Sequence, residues 1–119
     1  MHKKISWVVD ARIKEGALDA FRVLLSEMVA LVEEAEPGTR VYEWYLTDDG
    51  TRCHIVERYE DNAAAEAHLE WFQQHAVARF LELADLEGLT VYGDVSDKVR
   101  AVAGGFGATF MAPIGGFAR

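Results

Sequence analysis

The order of periodicities along this chain predicts an α+β fold, a ferredoxin-like βαββαβ sandwich in which two helices cover one face of a four-stranded antiparallel sheet. Three observations predict it. Two stretches with helical spacing alternate with stretches of period two. An Asp-Gly pair joins the two middle strands. Pro-Gly or Gly stands at the ends of the helical stretches. Residues 4–13 come first: Ile5, Trp7, Val9, Ala11 and Ile13 fall on one face, Lys4, Ser6, Val8, Asp10 and Arg12 on the other. After Gly16 the spacing changes. Phe21, Leu24, Leu25, Met28, Val32 and Ala35 form one helical stripe that Pro37-Gly38 ends. Residues 40–47 and 51–59 alternate again around Asp48-Asp49-Gly50, a hairpin in which glycine supplies the positive φ. Asp61 or Asn62 caps a second helix with the stripe Leu69, Phe72, Ala76, Phe80 and Leu83. Gly88 breaks the chain, and residues 89–95 read as the last strand.

The 119 residues suit a single domain, expected over residues 1–95, with a glycine-rich apolar tail over residues 96–119. The tail is expected to dock on its own domain or on a partner subunit. Its uncharged run, residues 101–118, approaches the length of a membrane span, but five glycines and a proline argue for docking on protein instead. Met1-His2-Lys3-Lys4 is basic, yet charges from Asp10 onward interrupt any secretory signal, and His2 is read as part of a frayed start. A cytoplasmic location is therefore expected. Net charge is −8, with no basic cluster, which excludes nucleic acid and anionic membrane surfaces as natural partners. One cysteine, Cys53, excludes an internal disulfide and a multi-thiolate zinc site.

Both faces of the predicted sheet carry apolar groups. Tyr42, Trp44 and Leu46 oppose Val41 and Tyr45; Cys53, Ile55 and Tyr59 oppose His54, Val56 and Arg58. Helices cover one face only, so the other points to a homodimer packed sheet to sheet.

Several segments carry a resemblance in the right order: Val9-Asp10-Ala11-Arg12-Ile13-Lys14-Glu15-Gly16, Glu36-Pro37-Gly38-Thr39, Tyr42-Glu43-Trp44-Tyr45, Val56-Glu57-Arg58-Tyr59-Glu60-Asp61 and Ala65-Glu66-Ala67-His68-Leu69. Over residues 4–95 the sequence resembles the antibiotic biosynthesis monooxygenase domain family of dimeric α/β barrels, which includes quinol monooxygenases. The resemblance implies dimerisation through the sheets, a pocket between sheet and helices, and oxidation of aromatic polyphenols or quinols by O2 without metal or flavin. It singles out His68, a recurrent family residue. The family's second histidine stands about five residues later, whereas here the next is His75. The haem-degrading branch uses an asparagine in the first strand, which this chain lacks.

His68, Trp71 and His75 fall at i, i+3 and i+7, a stripe at the shoulder between core and solvent. There His68 could take a phenolic proton as catalytic base; boundary packing accounts for the same stripe. Trp71 and His75 are candidate substrate contacts, as are Tyr42, Trp44 and Arg58. Trp7, Tyr45 and Tyr59 join the aromatic set, which could line a pocket or build the core and the dimer interface. Arg58 could neutralise a phenolate or pair with Glu43 or Glu57. No metal site is expected, because His68 and His75 stand roughly 10 Å apart along a helix and no His-Glu-x-x-His occurs. Nor is a cofactor expected. Gly104-Gly105-Phe106-Gly107 lacks the strand, helix and third glycine of a dinucleotide loop. Cys53 has no evident base, and His54 reads as solvated. The expected function is a cofactor-free monooxygenase of a small aromatic or quinol-type substrate. The alternative is a non-catalytic dimeric domain that binds a small ligand or serves in stress.

Overall fold

A computed structural model describes residues 3–119; the expectation for His2 lies outside them. The elements are β1 (Ile5–Ile13), α1 (Leu18–Ala35), β2 (Thr39–Leu46), β3 (Arg52–Tyr59), α2 (Asn62–His75), α3 (Val77–Leu83), β4 (Ala84–Tyr92), α4 (Asp97–Gly105) and β5 (Thr109–Met111). The sheet order is β2-β3-β1-β4-β5. The first four strands are antiparallel neighbours, and β5 adds in parallel to the outer edge of β4. The α+β ferredoxin-like architecture is thus present, with five strands in a mixed, open sheet where four antiparallel strands were expected.

The alternation read in β1 holds. Ile5, Trp7, Ala11 and Ile13 are buried under the helices. In α1 the buried residues are Phe21, Leu24, Met28 and Val32, the core of the predicted stripe. Gly50 takes φ +74° in the hairpin, and the Asp49 carboxylate accepts from the Thr51 backbone N–H and both flanking threonine hydroxyls. Asp61 is the cap of α2, accepting from Ala64 N–H at 2.9 Å.

Three expectations change. The long second helix is two helices, because Ala76 leaves helical geometry (φ −131°, ψ −25°) and its buried methyl sits at the break. Gly88 does not break the chain: it stays inside β4, beside a bulge where Asp10 faces Gly88 and Ala11 faces Leu86. The last strand therefore starts at Ala84, five residues earlier than expected. The segment 96–119 contains α4 and β5, so the uncharged run is split between two elements. No helix among the described residues is long and apolar enough to cross a membrane.

The core comes in two pieces. Ile13, Phe21, Leu24, Met28, Ile55 and Phe80 build one. Ile5, Trp7, Tyr59, Leu69, Val91 and Val99 build the other. Val9 packs against both, and the space between them is where the functional groups lie.

Candidate active site

Strand register creates the floor of the site. Tyr42 on β2 faces Glu57 on β3, Glu57 faces Trp7 on β1, and Trp7 faces Val91 on β4. All four belong to the helix-covered side of the sheet, so one row places a phenol, a carboxylate and an indole side by side. Glu57 is only 3% exposed. It accepts from the Tyr59 hydroxyl at 2.5 Å and from the side chain of Trp7. Charged side chains are almost never this buried unless paired.

The pairing partner arrives from α2. His68 follows Ala65 by three residues on the buried stripe, and it is fully inside rather than at the shoulder where spacing placed it. Its Nε2 stands 3.3 Å from Glu57 Oε1 and its Nδ1 stands 2.9 Å from Glu36 Oε1. Glu36 is the C-cap residue of α1, and Thr39 Oγ1 donates to the same carboxylate at 2.8 Å. This approach depends on Gly38. A Cβ there would lie 2.7 Å from the Ala64 Cβ, so only glycine lets the end of α1 come down beside α2.

Environment sets the protonation of this cluster. For His68, burial works against the charged ring. The hydrogen bond to Glu36 and the charges of Glu57 and Glu36 outweigh it and hold the pKa above the ordinary imidazole value. For Glu57, burial lifts the pKa, and the His68 charge and the hydrogen bonds from Tyr59 and Trp7 offset that only in part. Tyr42 and Tyr59 are pushed far above the usual phenol range, first by burial and then by Glu57. Both therefore stay protonated as donors. Among the described residues no side chain hydrogen-bonds the Tyr42 hydroxyl, which lies at the cavity.

Glu57, His68, Tyr42 and Trp7 form the polar end of a cavity between sheet and helices. Its other walls are apolar, among them Met28, Ile55, Leu69, Phe72 and Phe80. The exposed Leu81, with the partly buried Val77, Leu86 and Phe106, marks where it reaches the surface. The centres of water-sized molecules have about 50 Å³ to occupy. At roughly 10–15 Å³ each, that holds a few waters.

The sequence-predicted residues separate accordingly. His68 and Tyr42 meet at the cavity, with ring centres 5.4 Å apart. Trp71 lies outside the lining, its ring 5.7 Å from His68, and His75 stands farther out and exposed, 6.3 Å from Trp71. Trp44 packs between Phe21 and Phe80, outside the cavity, and its indole N–H is buried without a partner. Arg58 is on the opposite face of the sheet, donating to Ser6 Oγ at 3.2 Å, away from any ligand at His68. It pairs with neither Glu43 nor Glu57, because alternation points it outward while Glu57 points in. Tyr45 is also outward and half exposed. Burial pushes the Cys53 thiol up to about 11, which removes the thiolate a nucleophile needs.

Reading by spacing missed Glu36 and Glu57 as site residues. The signal for Glu57 was present: it occupies the inward register Cys53, Ile55, Glu57, Tyr59, where a carboxylate calls for a partner. The cluster is not built for a metal. Its two carboxylates contact opposite nitrogens of one imidazole, so the three groups do not converge on a point, and no group of three potential ligands that could hold an ion occurs among the described residues.

Residues 5–83 match the family model described as antibiotic biosynthesis monooxygenase. The chain belongs to that family. Solved structures place this family member in a wide group of similar folds. MupZ from Pseudomonas fluorescens superposes with a TM-score of 0.87 at 22% identity, covering 99% of this chain and 96% of MupZ. Rv0793 from Mycobacterium tuberculosis is 26% identical with a TM-score of 0.64, over 79% of this chain and 97% of that one. SnoaB from Streptomyces nogalater, a cofactor-independent oxygenase, is 21% identical with a TM-score of 0.62, over 73% of this chain and 90% of its own. No curated protein matches the sequence.

Proposed function

We propose that this chain is a cofactor-independent monooxygenase that oxidises a small aromatic or quinol-type molecule with O2. The observation that carries the reading is the pairing of Glu57 and His68 at the polar end of an otherwise apolar, aromatic-lined cavity. A phenolic ring would lie along the apolar walls with its hydroxyl toward Glu57. The carboxylate, or the His68–Glu57 pair acting together, takes the phenolic proton, while Tyr42 donates to the phenolate oxygen. An electron-rich phenolate passes one electron to O2, and the radical pair joins as a carbon–oxygen bond. Breaking the O–O bond then yields a quinone and water: one oxygen atom enters the ring, the other leaves as water, and the substrate supplies all the electrons. The apolar walls keep water from competing for the proton and strengthen each hydrogen bond in the cluster. The presence of a cofactor-independent oxygenase among proteins of this fold supports the reading.

We propose as well that the protein is a cytoplasmic homodimer. The uncovered sheet face carries Tyr45, Val56, Val8 and Tyr92, with Tyr45 54% and Tyr92 43% exposed, and a second sheet would bury them. Sedimentation at micromolar concentration should give about twice 13.3 kDa; a monomer removes this part.

One observation favours a second reading. Both nitrogens of His68 face carboxylates, so the ring is held as an acid, next to a carboxylate that serves as base. Such a pair suits proton-transfer catalysis, an isomerisation or ring closure, with no role for O2. Oxygen uptake with a panel of hydroquinones, using metal-free and flavin-free protein, decides between them. Uptake that His68→Ala and Glu57→Gln abolish supports the oxygenase. Ligand binding at His68 without uptake by any panel member overturns it.

A further inference from the structure

We infer that Phe106 is the specificity-determining residue at the cavity mouth, limiting the site to molecules with a single ring. The inference rests on the reading that this cavity is the substrate site. Among the described residues Phe106 is the one lining residue from the chain after β4, and like Leu86 and Leu89 it lies beyond residues 5–83, which match the family model. Its ring meets Phe72 edge-on, with centres 6.1 Å apart.

The position of that ring is fixed by α2. Asn62 Nδ2 donates to Asp94 O at 3.0 Å and its Oδ1 accepts from Ser96 N–H at 2.8 Å. Ser96 Oγ donates to Glu66 at 2.9 Å and accepts from Val99 N–H at 3.2 Å, capping α4. Val99 and Ala103 are buried in the core, and the Phe106 N–H closes α4 on Ala103 O. β5 then pins the far end to β4. The ring is therefore a built wall rather than a loose flap.

That wall sets a volume. About 50 Å³ is open to water-sized centres, whereas an apolar cavity that takes benzene has about 150 Å³. A one-ring molecule enters by moving single side chains at the mouth. A two-ring molecule needs the space that the Phe106 ring occupies.

The test is binding of phenol and 1-naphthol under anaerobic conditions to the full chain and to its Phe106→Ala and Phe106→Met variants. Two signals are read: quenching of tryptophan fluorescence, and the ring resonances of His68. The wild-type chain should prefer phenol. Phe106→Ala should bind 1-naphthol at least about ten-fold more tightly than the wild type, within the range by which pocket size discriminates, while phenol changes little. Phe106→Met should fall between them, and it decides the matter should Phe106→Ala fail to fold. An unchanged phenol-to-naphthol ratio in the folded variants overturns the inference, as does absence of any ligand effect on His68 in all three proteins. Oxygen uptake is measured separately. Reversed size preference without uptake removes the oxygenase reading and leaves Phe106 as the size limit.

Discussion

The sheet carries a histidine–carboxylate pair on each of its faces, and the two are made of nearly the same chemistry. On the uncovered face, His54 Nε2 stands 3.6 Å from Asp10 Oδ1, with side chains 54% and 37% exposed. On the covered face, His68 stands 3.3 Å from Glu57 and 2.9 Å from Glu36, and His68 and Glu57 are each 4% exposed. The first pair is long and its side chains are partly exposed, although Asp10 Oδ1 itself is buried, so it contributes at most about 1 kcal/mol. The second pair is shielded from bulk solvent, so each charge there depends on its neighbour, and its protonation is set by the fold. What sets the covered pair apart is not residue type but the loss of solvent around it.

The largest break in that comparison is removal of Glu57. Glu57→Ala leaves His68 and Tyr59 with an empty partner and should cost about 3–5 kcal/mol of stability, read by denaturant unfolding. Glu57→Gln keeps the shape but cannot take a proton. It should retain most of the stability and lose about 100-fold or more in turnover.

Next in size is a pH dependence. His68 has a folded pKa above its unfolded value of about 6.5. Its contribution is full below pH of about 6.5 and disappears as pH rises through the elevated folded value. Glu57, raised in the same direction, adds a loss of the same sign that begins at lower pH. The melting temperature should therefore fall as pH rises above about 6.5, and His68→Gln should flatten that fall. A wild-type curve without it would show that the ring is neutral.

Gly38→Ala should act at a distance from any ligand. Its new methyl meets Ala64 at 2.7 Å, and the overlap should cost about 1–3 kcal/mol. The strain separates Glu36 from His68, so the His68 resonances should shift toward those of Glu36→Gln. The smallest effect belongs to the uncovered face: His54→Ala should change stability by less than about 1 kcal/mol.

The elements legible in the sequence were those set by local periodicity. Alternation in β1 and β3, the α1 stripe and the Asp49-Gly50 hairpin are all decided within a few residues. The breaks at Ala76 and the continuation through Gly88 were not legible, because each depends on a neighbour distant in sequence. Ala76 packs into the core formed with α1, and Gly88 is matched to Asp10 across a bulge. The site divides the same way. His68 stood out by its motif and Tyr42 only as one of the aromatic residues of the sheet. Glu36 joins His68 across 32 residues, and Glu57 becomes a partner only once β3 is central enough to bury it. Arg58 illustrates the converse: a cation near the right place in sequence lies on the wrong side of a strand.

The parallel pairing of β5 with β4 ties the edge of the sheet to the mouth of the cavity. A chain lacking residues 97–111 would have β4 as an exposed edge strand and no Phe106 at the mouth. One segment thus covers both, so its loss would open the cavity and leave a strand edge on which a neighbouring chain can pair.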